Sequence, residues 1–200
     1  MKNLILTLTL LVFFGNYAQE LDFADFSVSS KYYTASDEEL AYLTDSATLF
    51  FNNTSEEKKR WATETKKHTR IYILNNGSNE NLIIKKQLEI NSEEFRTMIS
   101  SKDNGFLNTW NKMIYKKDEA NADGSGPLTI SLGLEIIKSD FGTFNNKYNY
   151  LYTIIKSGDE TQSFFQNAIL ITVDSMIYTI NITSSTLIYL EDVIISINSK

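Results

Sequence analysis

Cysteine is absent from the 200-residue chain, which excludes disulfides, thiol nucleophiles, redox pairs and a lipidated cysteine anchor together. Histidine is nearly absent. His68 is the only one, so a histidine-based zinc site within one chain lacks a ligand set. A Ser-His-Asp arrangement would have to run through His68, which stands between Lys67 and Thr69, and the chain carries no nucleophile-elbow signature. His68 therefore reads as a surface residue near a strand start. No glycine-rich phosphate loop occurs either, since "GLEIIKSDFG" (133–142) has the wrong glycine spacing for a dinucleotide or Walker fingerprint. Proline is reduced to Pro127, so Asn, Asp, Ser and Gly must make the turns.

Long apolar runs are missing too. The longest, Leu4 to Phe14, has eleven uncharged residues, whereas a spanning helix needs about 17–25. With Lys2 before it and Ala18-Gln19 after it, the run has the layout of a secretory signal peptide cut near Ala18. Residues 19–200 are then expected as one domain, exported to the periplasm or the extracellular space, with no membrane insertion of the mature chain. Loss of Lys2 leaves 18 basic against 25 acidic groups. An acidic balance of this kind favours solubility and argues against a nucleic-acid partner. The basic clusters "EEKKRW" (56–61) and "KKHTR" (66–70) read as solvated faces, the first diluted by Glu56 and Glu57.

What the chain does have is alternation. "LIIKKQLEI" (82–90) sets Leu82, Ile84, Leu88 and Ile90 against Lys85, Gln87 and Glu89. "LTISLGLEI" (128–136) sets Leu128, Ile130, Leu132, Leu134 and Ile136 against Thr129, Ser131 and Glu135, and "MIYTINIT" (176–183) sets Met176, Tyr178, Ile180 and Ile182 against Thr179, Asn181 and Thr183. Period-two patterns mean strands of an antiparallel sheet. "FFQNAILITV" (164–173) is apolar on both sides and reads as a central strand. Asn76-Gly77 signals a hairpin, "SGDE" (157–160) a second connection, and "VDSM" (173–176) a link so short that its strands must be antiparallel neighbours.

Helices announce themselves by caps. Ser36 with Glu39 forms a capping-box pattern ahead of Leu40, Leu43, Ala47 and Phe50, and "TSEE" (54–57) repeats the signal for a piece ending near Lys67. "NSEEFRTMIS" and "FLNTWNKMIY" read as two helical pieces split at Asp103-Asn104-Gly105, with Phe106, Trp110 and Ile114 on one face, and "DEANADGSG" (118–126) as a loop. In the tail, Leu187, Leu190, Ile194 and Ile197 recur at a 3-4-3 spacing, which predicts a closing helix of about 13 residues laid on the sheet.

Candidate chemistry is sparse. The carboxylates Asp37, Glu38, Glu39, Glu56, Glu57, Glu93 and Glu94 fall at helix starts, where they complement the helix dipole. "EANADGSGPLTI" (119–130) places Glu119, Asn121, Asp123 and Gly124 as in a calcium loop, but Ile130 stands where a bidentate Glu is needed. Tyr148, Tyr150 and Tyr152 share one strand face and form the feature best suited to binding, although core packing explains them as well.

The segments "FGTFNNKYNYLYTII", "QNAILITVDSMIYTINITSS" and "LEDVIISINSK" resemble the second half of PsbP-like and Mog-like α/β/α sandwich domains, in an exported member of the Bacteroidetes type. The likeness covers the last third of the chain. The helical piece around "SEEKKRW" and the helix split around Asn104 depart from that family. The resemblance implies a non-catalytic fold used for binding or assembly and transfers no active-site residue. "DSA" (45–47) and "DSM" (174–176) resemble that group's short O-glycosylation acceptor, the latter equally a turn.

The expectation is an α+β fold: an antiparallel sheet with packing helices, arranged as an α/β/α sandwich closed by a C-terminal helix. It would be a non-enzymatic binding or assembly protein with no catalytic residues, metal or cofactor, holding a protein or a small apolar ligand. A hydrolase with an unrecognised site and an immunity or inhibitor protein are the alternatives.

Overall fold

A computed structural model describes residues 23–36, 65–74, 80–122, 134–158 and 163–198, together with the single positions 39, 56 and 63. In chain order the elements are β1 (Asp25–Val28), β2 (Tyr32–Thr34), β3 (Thr69–Leu74), β4 (Asn81–Gln87), α1 (Glu93–Ser100), α2 (Asn104–Ala122), β5 (Glu135–Phe144), β6 (Tyr148–Gly158), β7 (Ser163–Val173), β8 (Met176–Ser184), α3 (Leu190–Val193) and β9 (Ile194–Asn198). Seven strands form an antiparallel sheet in the order β2-β3-β4-β8-β7-β6-β5, and β1 pairs with β9 in a separate two-stranded ribbon. The fold is α+β, dominated by this sheet.

The period-two reading of the strands accounts for most of the core. Met176, Tyr178, Ile180 and Ile182 lie on one face of β8, with Leu82, Ile84, Ile154, Ile169 and Ile171 beside them. From the opposite face Leu151, Ile155, Leu170 and Ile177 meet Ile99, Phe106, Trp110 and Ile114 of the helices. β7 is an interior strand, apolar on both sides because both its faces are covered, whereas its interior neighbour β8 keeps Thr179, Asn181 and Thr183 on its second face. The hairpins fall where turn residues predict them. β3 and β4 pair across residues 75–79, and β7 and β8 across Asp174-Ser175, with Asp174 at φ 53°. Between β5 and β6, Asn145 and Asn146 both take positive φ and Lys147 N–H donates to Phe144 O at 3.0 Å. Asn and Asp tolerate this left-handed backbone better than other non-glycine residues.

The helix split has a local cause. Lys102 adopts φ 56° and Asp103 N–H returns to Met98 O at 3.0 Å, which closes α1. Asp103 Oδ1 then accepts from Phe106 N–H at 2.8 Å and opens α2. α2 is pinned to the sheet by a buried relay. Trp110 Nε1–H donates to Thr153 Oγ1 (3.1 Å), Thr153 and Ser139 share a hydroxyl contact (2.7 Å), and Ser139 donates to Asn111 Oδ1 (2.9 Å). Each hydroxyl can give one proton and accept one, so none of these buried groups is orphaned. At Ser36 the capping box is present, with Ser36 N–H on Glu39 Oε2 (2.8 Å) and Glu39 N–H on Ser36 Oγ (3.2 Å). The rest of that helix reading, most of the 54–67 piece and the leader at 1–18 lie outside the described residues.

Four expectations are corrected. The closing helix does not form. Only α3, a single turn, is helical, and Ile194–Asn198 is a strand paired with β1. Ile194, Ile195 and Ile197 are β-branched and suit a strand when a partner exists. That partner lies 173 residues upstream (Asp25 opposite Asn198) and leaves no local trace. Residues 118–122, expected in a loop, belong to α2, which runs to Ala122. Of the strand expected at 128–136, the described residues show Leu134 ahead of the strand and Glu135–Ile136 opening β5, which continues to Phe144; 123–133 lie outside the described residues. Leu88 is exposed, because β4 ends at Gln87 and the chain turns away. The described helices α1 and α2 cover one sheet face, whereas the other is covered by the β1–β9 ribbon and α3.

Leu190, Val193, Ile194 and Ile197 are all buried against the first core. Deleting residues 190–200 removes four such side chains, each worth about 1.5–3 kcal/mol, a sum near the whole stability of a domain. The truncated chain is expected to lose its cooperative urea transition, followed by far-UV circular dichroism.

Candidate functional site

Alternation along β6 sends Tyr148, Tyr150 and Tyr152 to one face, as the sequence indicates, but that face is not wet. All three are buried, at 5%, 8% and 9% exposure, beneath the C-terminal segment. Tyr148 Oη donates to Ile197 O at 3.3 Å and Tyr150 Oη to Glu191 Oε1 at 2.8 Å. Across the sheet, Tyr178 Oη accepts from Ala24 N–H at 3.0 Å, and its ring meets Phe23 and Phe26 edge-on at 5.2 and 5.1 Å. The guanidinium of Arg70 sits 4.5 Å above Phe23. These tyrosines fasten the two ends of the chain to the sheet.

Burial, followed by the bond to Glu191, pushes the Tyr150 phenol far above its ordinary value. Burial is also the first cause of the upward shifts at Tyr32, Tyr72 and Tyr178. These phenols therefore stay protonated near neutrality. Beside Tyr150 (rings 5.9 Å apart), Tyr152 lies under Lys138 Nζ at 5.5 Å. Gly142 pairs with Tyr150 across the strands, and the phenol ring folds over it. A Cβ there would stand 2.3 Å from Tyr150 Cζ.

The open concavity lies elsewhere. A groove of about 530 Å³ is lined by Glu93, Arg96, Thr97, Ser100 and Ser101 of α1 and its C-cap, and by Thr172 and Asp174 at the β7–β8 hairpin. Ser92 Oγ caps α1 by accepting from Phe95 N–H at 3.2 Å. Asn91 ties the helix start to the hairpin, donating to Ser175 O (3.0 Å) and accepting from Ile177 N–H (3.1 Å). Arg96 donates to Asn91 O and Oδ1, both at 3.2 Å. The result is a rigid rim of hydroxyls, two carboxylates and one guanidinium, suited to hydrogen-bonding a polar segment and not to holding an apolar one.

The residues weighed in the sequence are scattered. His68 is half-buried at the last helical position before β3. Glu93 and Glu94 sit in the first turn of α1, as dipole complementation requires. Residues 119–122 of the calcium-like stretch belong to α2, and the rest of it lies outside the described residues. Among the described residues no three His, Asp or Glu side chains come together to hold a metal. The groove escaped sequence reasoning because its two sides are about 75 positions apart. Only the helix start at Glu93-Glu94 and the Asp174-Ser175 turn were separately legible.

No family model matches the chain, and no curated protein matches it. The chain is similar to a solved Pseudomonas aeruginosa protein of unknown function, at 12% identity over 62% of this chain and 70% of that one, with a TM-score of 0.33. A likeness at that level carries no argument.

The tyrosine clamp makes two expectations. Gly142→Ala forces the Tyr150 ring aside and should cost about 1–3 kcal/mol in urea unfolding. A raised folded-state phenol value contributes stability that is fully present below the unfolded value of 10.0 and is lost as pH climbs through the folded-state value. The urea midpoint should therefore fall above pH 10. Tyr150→Phe should lose about 1–2 kcal/mol at neutral pH and flatten the alkaline fall.

Proposed function

We propose that the protein is an exported, non-enzymatic binding protein, released near Ala18 to the periplasm or the extracellular space, that holds a polar segment of a partner protein in the α1–hairpin groove. The groove itself carries the reading. It is open, it is framed by the bonds of Asn91 and Arg96, and it presents Arg96, Thr97, Ser100 and Ser101 besides its two carboxylates. Both sheet faces are filled by the chain's own side chains, which turns the expected apolar ligand into a polar one. Membership of the PsbP-like and Mog-like group, with its α/β/α layering, belongs to the same proposal. Its support is the antiparallel meander β5–β8 followed by a C-terminal segment that closes one face. No helix among the described residues is long and apolar enough to cross a membrane.

Glu93 and Asp174 give the hydrolase alternative a specific place, since both line the groove. It requires turnover of an ester, glycoside or phosphate substrate that Glu93→Gln or Asp174→Asn abolishes.

Ser100 is exposed on the groove wall, so Ser100→Trp fills the groove without touching the core. Protein purified from its own exported fraction is expected to carry a discrete extra mass under native conditions. That mass should vanish on denaturation and be missing from Ser100→Trp, while the melting curve is unchanged. Absence of extra mass in the wild type, or its retention in the variant, overturns the groove as the binding site.

A further inference from the structure

The seven-stranded sheet ends on one side at β2, three residues long, and on the other at β5, ten residues long. A long edge strand offers unpaired main-chain groups to any passing strand, and proteins blunt such edges with charges and bulges. β5 carries both devices. The register slips between Ile136 and Lys138, leaving Ile137 as the extra residue, and Lys138 and Asp140 are exposed. Among the described residues nothing pairs with the outer side of β5. These devices also have a sign and a spacing, and both matter.

In an antiparallel pairing of β5 with itself about a two-fold axis, residue i faces its mirror across the central residue. Centring on Lys138 or Asp140 sets like charges face to face. Centring on Ser139 sets Lys138 opposite Asp140 of the other copy, twice over by symmetry, and sets exposed Ile137 opposite Phe141. Main-chain direction agrees with that register. Tyr152 O, opposite Asp140, points at β5 and accepts from Ser139 Oγ at 3.3 Å, so Asp140 turns its main-chain groups to β6 while Ser139 and Phe141 turn theirs outward, because strand residues alternate sides. In the single chain Asp140 Oδ1 accepts from that outward Phe141 N–H at 2.7 Å, a bond that the second copy must replace on pairing. Lys138 and Asp140 share the Tyr152 side of the strand. There Lys138 Nζ is already steadied over the Tyr152 ring.

We propose that β5 is a homodimer edge: two copies join their sheets antiparallel about Ser139, selected by the reciprocal Lys138–Asp140 pairs. The other registers oppose like charges or leave the charges without a counterpart, so the guarding residues admit one partner, a second copy of this chain. This interface is separate from the α1–hairpin groove and does not depend on it. The run bounded by the bulge is five residues, Ile137 to Phe141, so the association is of the weak class.

Sedimentation equilibrium of the full chain tests this. The wild type is expected to show a monomer–dimer equilibrium with a dissociation constant on the order of 10–100 µM, as a small interface gives. Lys138→Asp and Asp140→Lys should each weaken it about tenfold, because each creates two like-charge oppositions, and the double variant should return to within about twofold of the wild type. On the unaltered protein, raising NaCl from 0.05 to 1 M should weaken the dimer several-fold. A protein monomeric through ~500 µM, single reversals that leave the equilibrium unmoved, a double variant no better than the singles, or a salt-insensitive dimer would each overturn the proposal.

Discussion

The structure depends on the closure of one sheet face by the two ends of the chain. A sheet with Tyr148, Tyr150, Tyr152, Tyr178, Ile180 and Ile182 on one side exposes far too much apolar area to stand alone. The β1–β9 ribbon and α3 cover that face with Phe26, Leu190, Val193, Ile194 and Ile197. The phenols make this cover specific. Tyr178, Tyr150 and Tyr148 each carry a hydroxyl whose burial is tolerable only when a partner meets it, and Ala24 N–H, Glu191 and Ile197 O are, in that order, those partners. Apolar area supplies the driving force, and the three hydrogen bonds fix where the ends lie.

The helix side uses another device for the same purpose. Trp110 enters a core of Leu151, Ile155, Leu170 and Ile177, and its indole N–H begins the relay through Thr153 and Ser139 to Asn111. Ser139 belongs to the edge strand, so α2, β6 and β5 are held in register through one hydroxyl chain. With both faces packed in this way, the ends and edges of the described sheet offer accessible surface. The groove beside α1 and the open flank of β5 are such places.

Local patterns were legible and distant ones were not. The alternation of Met176 to Ile182, the Asp174-Ser175 turn, the Ser36–Glu39 box and the break before Asn104 each depend on neighbours within a few residues, and each stands as read. The tail was misjudged because Leu190, Ile194 and Ile197 satisfy a helical spacing equally well. Only β1, whose Asp25-Phe26-Ser27-Val28 alternation is too short to stand out alone, decides between the two conformations. Leu88 and the end of α2 fell to the same limit, since element boundaries follow from packing. The tyrosine row was correctly placed on one face, but no spacing along β6 reveals that Glu191 and Ile197 would return to cover it. The groove, made by two segments about 75 positions apart, left no trace beyond its separate helix start and turn.

Asp25 facing Asn198 has a bearing on the order of events during synthesis. The meander from β5 to β8 joins neighbours through short connections and can zip as soon as it is made, because closing small loops sacrifices little chain entropy. β1 is the first of the described strands to be made, and its partner is the last of them. Until the final residues appear, Phe26 has no ribbon to join and the tyrosine face has no cover. The molecule therefore acquires this core layer only after β9 has been made, in a late step that joins two strands far apart in sequence.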